Sequence, residues 1–230
     1  MQQNSRWHTL ETADQVAEAA YQQILNAADL AIKEHGSFKL VLAGGGTPEK
    51  VYHLLANTDA DWANWHIYYG DERCLPASHQ DRNSLMASSV FLDKVAIPSA
   101  QIFTIPAELG PELAAQQYQA VVAKALPFDM VLLGMGEDGH TASLFPGHQH
   151  NEDELAHAVY NSPKPPPERV SISAKALGNT RELIFLITGS NKQEAVKNWR
   201  SGLDLPVASI VSENPIDIYI DSDAYDPQSA

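Results

Sequence analysis

The chain has 230 residues, 44% of them hydrophobic, with 15 Lys and Arg against 29 Asp and Glu and a net charge of −14. At ~150 residues per domain this length favours one large domain over residues 1–230, and the acid excess leaves no basic patch broad enough for a nucleic-acid face or an anionic membrane surface. The single cysteine, Cys74, excludes an internal disulfide framework and a multi-cysteine zinc or iron–sulfur site.

The N-terminal MQQNSRWHTLETADQ has no apolar stretch of secretory length, and no later run approaches the ~18 apolar residues of a membrane span, so a cytoplasmic location is expected. Thr12 and Gln15 fit a capping box, after which Val16, Ala20, Ile24, Ala27 and Ala31 recur at helical spacing until His35-Gly36 stops them. Residues 38–43 (FKLVLA) read as a buried strand. Gly44-Gly45-Gly46-Thr47-Pro48 then turns the chain into a second helix, with Thr47 as N-cap and Pro48 at its first position. The pattern continues with a strand at 66–69 ending in a loop Asp71-Glu72-Arg73, a strand at 101–105, a helix at 111–125, and an apolar strand at 129–133 running into Gly134-Met135-Gly136. Strands at 170–173 and 182–188 follow, then Gly189-Ser190-Asn191-Lys192 with a helix through Trp199, and a last strand at 217–221. This alternation predicts an α/β fold, doubly wound, with a mostly parallel sheet and helices on both faces.

In such a sheet ligands sit beyond the carboxyl ends of the strands, which singles out the segments at 44–47, 71–73, 134–140 and 189–192. GGGTP exposes backbone N–H groups at a helix start and suits a phosphate or sugar hydroxyl. No Gly-Lys-Ser/Thr follows, so it is not a Walker A loop. GMGEDG has the spacing of a dinucleotide fingerprint, but Pro146 cuts any following helix short and no ribose-binding acid ends a next strand, so a nicotinamide cofactor is not expected. In the same loop His140 can exchange protons near neutral pH, and Asp138 stands two residues away to orient or charge-stabilise the ring. The bland alternatives are a capping histidine and a carboxylate that satisfies loop amides.

His140, His148, His150 and His157 are too loosely spaced for a metal motif, and Glu152, Asp153 and Glu154 read as a solvated run, so no metal is expected. Arg73 and Lys192 matter because an acidic chain places scarce cations directly after strands, as a phosphorylated ligand requires; Arg169 is a further candidate. The alternative for Arg73 is an ordinary ion pair with Asp71 or Glu72. Cys74 beside Arg73 raises the question of an activated nucleophile, against the commoner buried thiol.

Taken in order, LVLAGGGTPEKVY, YYGDERCLP with Asn83 beyond it, FDMVLLGMGEDGHTASLFPG, PPPERVSIS, GSNK and IDIYID resemble the 6-phosphogluconolactonases over about residues 10–221. GGGTP and DER are shared more widely with the related glucosamine-6-phosphate deaminases. Ser171 and Leu75 stand where the family often has threonine and valine. The resemblance implies a doubly wound fold, no cofactor, no metal, and hydrolysis of 6-phospho-D-glucono-1,5-lactone in the pentose phosphate pathway. It also implies His140 as the catalytic histidine, with Gly45, Gly46, Thr47, Asp71, Arg73, Arg169 and Lys192 at the substrate. Asp138 then supports the imidazolium, the partner is a small phosphorylated sugar lactone, and the assembly is a monomer or small homo-oligomer. Two rival readings are a deaminase-like sugar-phosphate isomerase, whose DEY-like segment is DER here, and a non-catalytic sugar-phosphate sensor.

Overall fold

The computed structural model describes residues 4–151 and 153–225. Glu152, read above as part of a solvated run, and residues 226–230 of the tail lie outside the described residues. The strands are β1 (Ser5–Leu10), β2 (Phe38–Leu42), β3 (Trp65–Tyr69), β4 (Asp71–Arg73), β5 (Phe128–Gly134), β6 (Ala156–Val159), β7 (Arg169–Ile172), β8 (Thr180–Ile187) and β9 (Ile216–Asp221). The helices are α1 (Ala13–His35), α2 (Gly46–Leu55), α3 (Asn83–Val90), α4 (Pro111–Ala125), α5 (Ala174–Gly178) and α6 (Gln193–Arg200).

Six strands form one sheet in the order β1-β9-β8-β5-β2-β3, and all its pairings are parallel. From Phe128 to Leu133 every residue of β5 is buried, as a parallel strand covered on both faces requires. Helix α1 lies across β2, β5, β8 and β9. Its start is capped by Thr12 Oγ1, which accepts from Gln15 N at 3.2 Å, and Gly36 at φ 83° supplies the left-handed stop. At the outer edge β1 pairs only with β9, from Ser5↔Ile216 to Leu10↔Asp221.

After β2 the chain steps outward to β3, whereas after β5 it builds in the other direction through β8. The order therefore reverses between β2 and β5, and the loops leaving those two strands, at 43–45 and 135–140, open the crevice where ligands bind.

Several expectations need correction. The strand placed at 170–173 is β7, and it belongs to a second, antiparallel sheet of order β4-β7-β6 rather than to the main sheet. Asp71-Glu72-Arg73 is a strand of that small sheet, not a loop. The chain crosses between the sheets at Gly70, whose N–H donates to Leu42 O at 2.9 Å and whose carbonyl accepts from Ile172 N at 2.8 Å. Residues 101–105 form no strand; only Ile102 bridges Ile67, with Phe103 N donating to Ile67 O at 2.8 Å. Helix α2 begins two residues early, with Gly45 at φ 110° as its N-cap. Thr47 does not cap it, because its hydroxyl is engaged with that of Thr188 at 2.7 Å.

Candidate active site

The glycine loop is shaped by what it rests on. A Cβ on Gly44 would fall 2.2 Å from Asn83 Oδ1, so only glycine lets this turn approach the head of α3. Asn83 is buried, and its Nδ2 donates to the Asp71 carbonyl and to Asp71 Oδ1, both at 3.0 Å. Asp71 Oδ2 accepts from Ser143 Oγ at 2.6 Å and stands 3.9 Å from Arg169. The buried Asp71 carboxylate is thus gripped from α3, from the loop after β5 and from β7.

Glu72, fully buried, accepts from the backbone N–H groups of Arg73, Asn83 and Ser84, each at 2.8 Å, and lies 3.3 Å from Arg82 Nε. These bonds occupy it structurally. Arg73 forms no ion pair among the described residues, contrary to the ordinary pairing with Asp71 or Glu72. Its guanidinium donates to Asp81 O, while its Nε is buried without a partner. In the small sheet Arg73 lies directly opposite Arg169. Two like charges directly opposite each other cost stability. Burial pushes the Arg169 pKa down, Asp71 opposes this and Arg73 adds to it; a guanidinium stays charged regardless. Its Nε and one terminal nitrogen are taken by the carbonyls of Lys164, Pro165 and Pro166.

His140 is held by three hydrogen bonds within its own loop. Its Nδ1 meets Asp138 Oδ1 at 2.5 Å, its N–H donates to the same oxygen at 3.2 Å, and its carbonyl accepts from Gly136 N at 2.8 Å. Burial alone would raise the Asp138 pKa, but the hydrogen bond and charge of His140 outweigh it and hold the carboxyl below its ordinary range. With Asp138 accepting from Nδ1–H, the tautomer leaves Nε2 unprotonated, and among the described residues it has no partner. Gly139, at φ 80°, turns the loop, and its carbonyl accepts from Val207 N at 3.0 Å.

Lys192 N donates to Gly189 O at 3.0 Å, but its ammonium has no hydrogen-bond or ion-pair partner among the described residues. Burial pushes its ammonium pKa down, against the opposing charges of Glu137 and Asp138. Together with Gly45, Asp71, Arg73, Asn83, His140 and Arg169 it lines a cleft of about 230 Å³ at the β2/β5 switch point. Three other cavities are larger, about 720, 580 and 370 Å³; the first two share His150 and His157, and none of the three holds a predicted site residue. Size is the weaker guide; the cleft is where an open base and unpaired cations converge.

A family model described as glucosamine-6-phosphate isomerases/6-phosphogluconolactonase matches residues 11–218. The chain belongs to this family. It is 32% identical over 218 residues to 6-phosphogluconolactonase 3, chloroplastic, of Arabidopsis thaliana, a match covering 86% of this chain and 67% of that one. It is 35% identical over 183 residues to probable 6-phosphogluconolactonase 4, chloroplastic, of Oryza sativa subsp. indica, covering 71% of this chain and 56% of the relative. The chain therefore spans little more than half the length of the rice protein. The crystal structure of 6-phosphogluconolactonase from Thermotoga maritima superposes with a TM-score of 0.88 at 27% identity, over 95% of this chain and 100% of that one.

In this member of the glucosamine-6-phosphate isomerase/6-phosphogluconolactonase family, His140, Gly45, Asp71, Arg73, Arg169 and Lys192 line one cleft, with Asp138 directly behind the histidine. Gly46 and Thr47 sit in the first turn of α2 and are not on the cleft wall. Three contributors escaped the sequence reading: Ser143, which fixes Asp71; Gly136, beneath the imidazole; and Phe145, whose ring packs on His140. All three lie within GMGEDGHTASLFPG, so the motif was the available signal. Burial pushes the Cys74 thiol up to about 12, which leaves a nucleophilic thiolate without support. Among the described residues no three His, Cys, Asp or Glu side chains converge as a metal site, and no helix is long and apolar enough to cross a membrane.

Proposed function

We propose that the cleft hydrolyses 6-phospho-D-glucono-1,5-lactone to 6-phospho-D-gluconate, a step of the pentose phosphate pathway, with His140 Nε2 as general base. The single observation that carries this reading is the His140–Asp138 pair, with Nε2 unengaged in a cleft that Lys192, Arg73 and Arg169 make positive. Nε2 takes a proton from water as the water oxygen bonds to the lactone carbonyl carbon. When the tetrahedral adduct collapses, the bond from that carbon to the ring oxygen breaks, and the imidazolium returns its proton to the departing oxygen. Asp138, kept ionised, stabilises the imidazolium between these two transfers. Loop N–H groups or the Arg73 guanidinium are the donors at hand for the oxyanion. The phosphate, remote from the reacting carbon, is gripped by the cations, so its binding energy fixes the carbonyl beside the attacking water.

The substrate is a small molecule. The net charge of −14 argues against a nucleic-acid or anionic-membrane partner, and we take the protein to be a cytoplasmic monomer or small homo-oligomer. The test is lactone hydrolysis measured against the spontaneous background, with phosphorylated and unphosphorylated gluconolactone compared. His140→Ala is expected to lower kcat by at least ~100-fold with little change in KM. Near-normal turnover of that variant would remove the mechanism, and ammonia release from glucosamine 6-phosphate would favour the deaminase reading instead.

A further inference from the structure

Phe145 is buried, at 2% exposure, yet it stands outside the contiguous apolar core. Its ring meets two imidazoles and a guanidinium. Its ring centroid lies 4.7 Å from that of His140 at an interplanar angle of 41°, 5.6 Å from that of His148, and 5.6 Å from the Arg169 guanidinium carbon. The His140 and Arg169 contacts fall within the ~6 Å over which an aromatic face attracts a cation.

The other charged and titratable groups around His140 come from every element at the cleft. Asp138 is on its own loop, Asp71 and Arg73 are on β4, Arg169 is on β7, and Lys192 precedes α6. His148 lies beyond Phe145, and the Glu137–Lys164 pair flanks Asp138. Arg73, Arg169 and Lys192 are cations that oppose a positive charge on His140, while Lys164 is paired with Glu137. Asp138 is the carboxylate bonded to its ring.

We propose that Phe145 is a positioning residue for the reaction, its ring fixing the tilt of the His140 imidazole and favouring that imidazole's protonated form. This deepens the reading of His140 as the base and rests on it. The imidazole is held by Asp138 at Nδ1 and by the Phe145 ring, in the space that Gly136 leaves open by lacking a Cβ. Within the catalytic cycle the imidazolium forms when the proton leaves water. An attraction that grows with positive charge therefore acts on that intermediate and the transition states around it, and equally on the free enzyme protonated at low pH, but not on the neutral ring. Arg169, anchored through the carbonyls of Lys164, Pro165 and Pro166, holds the same ring from β7.

The decisive experiment replaces Phe145 site-specifically with mono-, di- and trifluorinated phenylalanine, which keeps the shape of the ring while draining its negative face. The readout is the acid limb of kcat/KM for the phosphorylated lactone, which reports the free base. The limb is expected to move stepwise to lower pH, by about half a unit across the series, with the melting temperature unchanged. Phe145→Leu moves the limb in the same direction and lowers kcat about tenfold, because the tilt is freed as well. A limb that stays put across the fluorinated series overturns the proposal and leaves His140 as the base. A wild-type limb that survives His140→Ala removes the base, and this inference falls with it.

Discussion

An alanine at position 136 would put its Cβ 2.0 Å from His140 Nδ1, 2.2 Å from Cε1 and 2.6 Å from Asp138 Oδ1. Ordinary contact begins near 3.4 Å, so ring or loop must retreat by roughly 1.4 Å. The backbone gives little room for this, because Gly136 N donates to His140 O at 2.8 Å and Gly139 N donates to Gly136 O at 3.1 Å. The imidazole therefore moves and its 2.5 Å contact with Asp138 breaks. Misplacing a reacting group by ~1 Å costs about 100-fold, or roughly 2.7 kcal/mol of barrier. Gly136→Ala should accordingly lose about 100-fold in kcat while KM for the phosphorylated lactone stays within about threefold, since Lys192 and Arg73 are untouched. Gly134→Ala is the matched control for folding, because its Cβ would meet nothing within 4 Å. Stopped-flow hydrolysis and thermal melts of both variants decide the matter. A Gly136→Ala enzyme that keeps about a third or more of wild-type kcat would refute the claim that this glycine holds the base in place.

Lys192→Ala removes a half-buried ammonium with no partner among the described residues. A charged hydrogen bond to phosphate is worth ~1.5–3 kcal/mol, so KM for the phosphorylated lactone should rise about 10- to 100-fold. Hydrolysis of unphosphorylated gluconolactone should be unaffected, and an equal loss on both substrates would count against a phosphate role. A third expectation concerns acid stability. Burial, with His157 and His148 adding to it, pushes the His150 pKa down to about 4 from 6.5, so the folded protein keeps the neutral ring. As pH falls from 6.5, the unfolded chain takes up a proton that the folded chain refuses, and stability declines until about pH 4. His150→Gln should flatten this decline in urea titrations between those pH values by roughly 1 kcal/mol, after allowance for the ring's half exposure. A variant as acid-sensitive as wild type would show that the ring does not titrate in the folded state as described.

Long periodic elements were legible from the sequence. The α4 bounds, the α1 cap and stop, and the apolar strands β2 and β5 follow directly from their residue patterns. The small antiparallel sheet was not, because strands such as Asp71–Arg73 and Arg169–Ile172 are too short to show a period, and their pairing joins residues about a hundred positions apart. β1 was missed for a similar reason: its burial is only partial along Ser5–Leu10, as befits an edge strand. In the site, residue types with chemistry of their own were legible, namely His140, Asp138, Arg73 and Lys192. Gly136, Ser143 and Phe145 act through contact, and contact is visible only once the chain is folded. The supposed cap at Thr47 failed because a tertiary partner, Thr188, claimed the hydroxyl that local pattern assigned to the helix.

The edge strand β1 has a consequence for how the protein is made. Arg6 and Asp217, bonded across β1 and β9, are 211 positions apart, so β1 has nothing to join until its partner strand, made much later, emerges. Closing so large a loop is slow, and the candidate site at the middle of the sheet forms from strands that are already available. Until β1 docks, β9, buried at all six of its positions, stands as an open hydrogen-bonding rim. Such rims recruit other chains, so damage at this end of the sheet should surface as aggregation during synthesis rather than as a change in the chemistry of the finished enzyme.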